Sequence, residues 1–203
     1  MWQLIWQLRQ RFEYRLAQSL TILFSGIYLL SACATLSKQE CMVGDWQAIG
    51  YNDGVAGYAA DRLASHTKAC AKASVTPDYQ LWERGRQLGL NQYCTVTSAY
   101  NIGRRGQKIN NVCPITLANS LQAANQKGLD YYSLDNQLDK DKRLLETTEL
   151  EFKKLKNGEM LDFETEKEAR ARLLSLPIEL RDIESRIYNT QKKLALLNQM
   201  NSD

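Results

Sequence analysis

Asp45-Trp46-Gln47-Ala48-Ile49-Gly50-Tyr51-Asn52-Asp53-Gly54-Val55-Ala56-Gly57 places glycines behind aromatic and apolar residues at helical spacing. Tyr79-Gln80-Leu81-Trp82-Glu83-Arg84-Gly85-Arg86-Gln87-Leu88-Gly89 repeats the arrangement, and Tyr100-Asn101-Ile102-Gly103-Arg104-Arg105-Gly106 repeats it again. Leu121 to Leu129 reads as a fourth, weaker copy. Gly50/Gly54 and Gly85/Gly89 lie four apart, so in a helix each pair forms one stripe. A helix-interior glycine costs about 1 kcal/mol against alanine. Close backbone approach of two helices returns that loss, with the aromatic ring covering the crossing. Asp53, Glu83 and Arg84 interrupt the runs, so such helices are aqueous rather than membrane-embedded. The competing reading makes some of these glycines turns, Asn52-Asp53-Gly54 foremost.

Boundary signals place the helices. Thr76-Pro77-Asp78 fits a helix start with proline in the first turn. Thr95 to Ser98 offers several caps, and Cys113-Pro114 closes the third run before a further cap at Thr116. Helices are expected near 44–57, 58–73, 77–93 and 97–110, with another beginning near 115, and no segment reads as a strand.

After Gly128 the composition changes to Lys, Glu, Leu and Arg. Leu134, Leu138, Leu145, Phe152 and Leu155 keep a 3-4 spacing, with Asp141 and Thr148 as polar gaps. Leu173, Leu176, Leu180, Ile183, Ile187, Leu194 and Leu197 do the same, with Thr190 as the gap. Asn157-Gly158 separates the two patterns and is a turn signal. Pro177 predicts a kink or a restart in the second. An antiparallel hairpin, its first arm over 134–156, is favoured over an intermolecular coiled coil. The fold class is therefore all-α: a disulfide-clipped, Gly-rich helical core over 41–128 and a long helical arm over 129–203.

The N-terminal segment, 1–32, reads as an export signal. Arg9, Arg11 and Arg15 precede an apolar stretch from Leu20 to Leu30, too short for a spanning helix. Leu30-Ser31-Ala32-Cys33 resembles the bacterial lipobox, which implies a lipidated (palmitate-bearing) Cys33 as the mature N-terminus. Residues 33–40 would then be a short tether. Ala34, where Asp favours the inner membrane, leans towards the outer membrane, facing the periplasm. The competing reading is an uncleaved N-terminal anchor. The 203-residue chain has 26 Lys and Arg against 23 Asp and Glu. Removing 1–32 takes away three Arg and one Glu, leaving 23 basic and 22 acidic residues. That balance argues against a nucleic-acid partner.

Cys41, Cys70, Cys94 and Cys113 remain for two disulfides in an oxidising compartment. If successive helices run antiparallel, Cys70 and Cys113 share one pole and Cys41 and Cys94 the other, which favours Cys70–Cys113 and Cys41–Cys94. The spacings hold no Cys-x-x-Cys pair and the chain has one histidine, so neither a metal site nor a cofactor is expected.

His66 is the sole weak catalytic candidate, with Asp53 or Asp61 to orient it. Ser65 beside it would not face it on a helix. No Gly-x-Ser-x-Gly elbow exists, and Glu164, Glu166 and Glu168 read as a charged helix face. Gly103-Arg104-Arg105-Gly106 is basic enough to meet a lipid phosphate or a cell-wall carboxylate.

Cys41…Trp46…Gly50-Tyr51…Asp53-Gly54…Gly57, Arg62…His66…Cys70, Tyr79…Gly85…Gly89-Leu90…Tyr93-Cys94-Thr95, Tyr100…Gly103…Gly106 and Val112-Cys113-Pro114 together resemble the bacterial lipoproteins of the domain-of-unknown-function 2799 family. The resemblance spans roughly 34–155 and departs at Gly85-Arg86, where the family habit is Gly-Trp. It implies a secreted, lipidated helical protein and carries over no catalytic residue. The expected function is a non-catalytic, lipid-anchored envelope module that offers the arm 129–203 to a protein partner. The alternative is an envelope enzyme acting on a wall or lipid substrate through His66 and nearby carboxylates.

Overall fold

The computed structural model describes residues 35–199. The expected export signal over 1–32 and the lipobox cysteine, Cys33, lie outside them. Seven α-helices and two short 3-10 turns make up the described chain, and no strand occurs among the described residues. They are α1 Lys38–Val43, α2 Trp46–Val55, α3 Arg62–Cys70, α4 Tyr79–Tyr93, α5 Val96–Arg104, α6 Ala118–Lys156 and α7 Glu166–Gln199. Side-chain caps start four of the first five. The Ser37 side chain accepts from Glu40 N–H in a reciprocal box with the Glu40 carboxylate, and Asp45, Asp78 and Thr95 accept from N–H groups three residues on.

The core is one unit built twice. In the first, α2 crosses α4 through facing glycines. A Cβ added at Gly50 or Gly54 would overlap the carbonyl of Trp82 or Arg86, and one at Gly85 or Gly89 that of Gln47 or Tyr51. Each glycine therefore aims a Cα–H at a carbonyl oxygen of the other helix, a weak hydrogen bond repeated four times. The contacts advance together along both helices, so α2 and α4 run in the same direction, with α3 as the return. In the second unit, α5 crosses α6 in the same way. A Cβ at Gly103 would overlap the Asn125 carbonyl, and one at Gly128 that of Tyr100. Buried Ala99 and Ala124 take the places of Gly50 and Gly85. Gly54 is thus helical, and the turn reading fails there. The turns belong to Gly57 and Gly106, whose φ values of 72° and 76° are left-handed. The ring of Tyr93 covers Gly57 and the ring of Tyr132 covers Gly106, so closely that an added Cβ would clash with either ring.

The disulfides correct the sequence expectation. They join Cys41 to Cys70 and Cys94 to Cys113, with Cα atoms 5.5 Å and 5.6 Å apart. The expectation of Cys70–Cys113 and Cys41–Cys94 assumed that successive helices alternate in direction across the whole core. Within each unit the two crossing helices are parallel, so their starts lie together. The cysteine before each start then meets its neighbour in sequence.

The expected boundary at 128/129 also falls differently. α6 runs unbroken through it for 39 residues, about 58 Å at 1.5 Å per residue. Its first part closes the second unit and the remainder forms the arm. The expected helix over 97–110 ends at Arg104, and the following residues return without helix. α7 folds back on α6 within the chain, as the hairpin reading expects. It carries Pro177 inside a continuous helix, so neither break nor restart appears. Leu155, Ala169 and Leu176 form the tip of the seam, packed by Phe152, Phe163 and Leu173.

Candidate functional site

Asp53 stands on α2 immediately before a crossing glycine. It therefore faces the junction of α2, α3 and α4, and it is 6% exposed. His66, 1% exposed, reaches it from α3, with Nε2 2.6 Å from Asp53 Oδ2. The fully buried Trp82 donates its indole N–H to the same oxygen at 2.8 Å. Because Oδ2 accepts from the indole, it is an acceptor to the imidazole as well, which puts a proton on Nε2. His66 Nδ1 is 2.8 Å from Thr35 Oγ1. On the other carboxylate oxygen, Arg62 Nε lies 3.6 Å from Oδ1 and makes no hydrogen bond. The Arg62 guanidinium stacks on the Tyr58 ring, 4.2 Å from its centroid.

The carboxylate partner of His66 is thus Asp53. Asp61 and Ser65 are both exposed, and Asp61 makes no side-chain cap to α3. Both imidazole nitrogens are engaged, and His66 and Asp53 line neither the cleft at Asn125 nor the one beside Tyr58. Chemically, this arrangement clasps three helices and the N-terminal strand of chain to one carboxylate.

Thr35 and the 8% exposed Leu36 were not anticipated as core residues. Leu36 packs with Cys41, Trp46, Cys70 and Trp82. Residues 33–40 are therefore no loose tether from Thr35 onward, because α1 starts at Lys38 and the preceding pair is already packed. The only sequence signal for this was one apolar residue, Leu36, two positions before α1.

The second cluster lies where the two units meet. Tyr93 OH accepts from Asn110 N–H at 2.8 Å, and the Asn110 amide donates to the Gly57 carbonyl at 3.0 Å. Asn125 Oδ1 accepts from Ile109 N–H, while Nδ2 donates to the carbonyls of Ala99 and Gln107. These bonds and Cys94–Cys113 hold the segment after α5 in place. Arg86 forks onto Glu83 at 2.7 Å twice and donates Nη1 to the Tyr58 carbonyl at 3.2 Å. The Arg86 fork holds the Glu83 carboxyl below its ordinary value. Arg104 stacks on Tyr131 at 3.9 Å. A cleft of about 550 Å³ opens here, with Arg105 and Lys108 in its wall.

Five of the six glycines singled out in the sequence lie within crossing helices, whereas Gly106, expected inside the helix over 97–110, lies beyond its end at Arg104. Gly50, Gly54, Gly85, Gly89 and Gly103 are at crossings, and Gly106 is at the turn that follows one. Gly57, Gly128, Tyr93 and Tyr132 complete the pattern. Among the described residues, no group of three or more His, Cys, Asp or Glu side chains is arranged to hold a metal ion. No helix among them is long and apolar enough to cross a membrane.

No curated protein and no solved structure matches the chain. Residues 45–130 match the family described as "Protein of unknown function (DUF2799)" and belong to it. The matched segment begins at Asp45, the cap of α2, and ends two residues past Gly128, the last crossing glycine, so it spans both crossings.

Proposed function

From the membership of residues 45–130 in that family, we propose that the chain is a lipid-anchored protein of the bacterial cell envelope. In this reading Cys33 carries the lipid, the mature chain starts there, and the core faces the periplasm from the outer membrane. The module is structural or interactive rather than catalytic, and the arm meets a protein partner. The observation that carries the reading is the packing of Thr35 and Leu36. Thr35 bonds His66 and Leu36 enters the core, so an ordered body begins two residues after Cys33. A lipid on that cysteine would hold the core directly against the bilayer with almost no slack. Two disulfides in a chain of this size also suit an oxidising compartment.

The arm supports the interactive part. Leu174, Ile178, Tyr188 and Leu196 are 52–72% exposed. At 100° per residue they share the face of α7 opposite buried Leu176, Ile183 and Thr190. Metabolic labelling with a palmitate analogue tests the anchor. The parent chain is expected to take up label and to shorten by the signal. Cys33→Ser should remain unlabelled and full length. Label retained by Cys33→Ser would refute the reading.

A further inference from the structure

The cleft between the two core units has a lining that the anchor and the arm do not use. Its walls come from the end of α2 and the turn after it (Tyr58), from the end of α4 (Tyr93), and from α5 and the segment that follows (Ser98, Arg105, Lys108, Asn110). No Asp or Glu lines it. Arg105 and Lys108 are exposed and form no ion pair with any described carboxylate, unlike Arg86, Arg172 and Arg186, which are all paired. Arg62 and Arg86 reach the far side of Tyr58 but each faces a carboxylate, Asp53 and Glu83, so the unbalanced charge of the cleft is that of Arg105 and Lys108. Excess positive charge in a concave site is focused by its low-dielectric walls.

The geometry points to this cleft as a binding site for a phosphate-type oxyanion. Its donors are a guanidinium, an ammonium and hydroxyls that arrive from three different elements. Such a set suits a tetrahedral group better than a planar carboxylate, which one in-plane guanidinium fork would satisfy. The volume of about 550 Å³ leaves room beside a phosphate for an attached group, as in a phosphodiester of glycerol or sugar. The wall is held in advance by Asn110 to Tyr93 and Gly57, and by Cys94–Cys113, so little ordering is left for binding to supply. The proposal does not depend on lipidation at Cys33.

Two sources share this chemistry, a lipid headgroup and a soluble phosphate. The test uses the full chain in neutral detergent, titrated with inorganic phosphate and, separately, with dihexanoyl phosphatidylglycerol as a monomer. Binding is read by isothermal calorimetry and by shifts of the Tyr58 and Tyr93 ring signals. Saturable binding of at least one probe is expected, weakened about tenfold or more in R105Q/K108Q. K140Q/K142Q, which removes the same charge from the arm, should change it by less than about twofold. Tighter binding of the lipid assigns the site to a headgroup, and equal or tighter binding of inorganic phosphate assigns it to a soluble ligand. Equal weakening by both double variants, or no saturable binding of either probe, would overturn the proposal. Unchanged circular dichroism and melting in R105Q/K108Q, expected for two exposed side chains, separates loss of the site from loss of the fold.

Discussion

At the residue scale, two kinds of position carry the core. The crossing glycines are the first. Gly89→Ala must push α2 and α4 apart, because the new methyl meets the Tyr51 carbonyl and the Gly54 Cα. We expect a loss of about 3 kcal/mol in urea unfolding. Gly158→Ala should cost only about 1 kcal/mol, because its φ of 87° is strained for alanine but nothing lies within 4 Å. Equal losses at the two sites would mean that the crossing tolerates separation. Asp53 is the second kind. Asp53→Ala strands the Trp82 indole N–H and the His66 Nε2–H inside the core, and should cost roughly 3 kcal/mol. Asp61→Ala, at an exposed cap position whose side chain makes no cap bond, should stay within about 0.5 kcal/mol. The glycine stripes were legible because each pays a helix-propensity cost that needs a reason. The clasp was legible only in part. Asp53 was one of two carboxylates named to orient His66, the other being Asp61, and no sequence rule brings Thr35 across 31 residues to the same imidazole.

At the element scale, the arm owes its register to polar residues inside an apolar seam. Asp141, Thr148 and Thr190 read as gaps in the heptads, yet all three are buried. Arg186 donates to Asp141 Oδ1 at 3.1 and 3.2 Å, and Arg172 forks onto Glu151 at 2.7 and 2.8 Å while reaching Glu179 at 2.6 Å. A slip of one turn would break these pairs together and bury Asp141 unpaired. Burial raises the Asp141 carboxyl, but the bonds from Gln137 and Arg186 outweigh it and leave it below its ordinary value. The Arg172 fork lowers Glu151 below its usual 4.5. Both are depressed in the folded arm, so their stabilisation is present above the ordinary carboxylate values. It is lost as the pH falls through the lowered ones. The melting temperature should therefore drop on acidification below about pH 4, and D141N/E151Q should flatten that part of the profile while lowering stability at pH 7. The 3-4 pattern disclosed the hairpin and its turn. It did not disclose that α6 is shared with the core, because a composition change at Gly128 is no helix break when the next residues still favour helix. Pro177 forces no restart, since buried Leu176 and Ile183 on either side hold the helix through it.

At the scale of the whole molecule, the repeated unit sets where the chain can be cut. Tyr131 and Tyr132 lie beyond Gly128 yet serve the second unit, one stacked by Arg104 and the other covering Gly106. A chain ending after Asp135 should keep a cooperative melt, whereas one ending after Gly128 should lose it in the second unit, with protease cutting between Cys94 and Cys113. The two disulfides should also differ. Cys41 and Cys70 are 0% exposed while Cys94 and Cys113 are partly exposed, so mild reductant should open Cys94–Cys113 first, as peptide mapping of alkylated samples would report. A reversed order would place the weaker unit at the N-terminal end. The four core cysteines bond as two consecutive pairs, and no bond spans another. If such a chain is oxidised from its N-terminus as it emerges, Cys41 and Cys70 can pair before Cys94 and Cys113 appear, with Cys33 the one competing thiol. Lipidation of Cys33, as proposed above, would remove that competitor, and the observed pairing would then form in order of emergence without a disulfide isomerase.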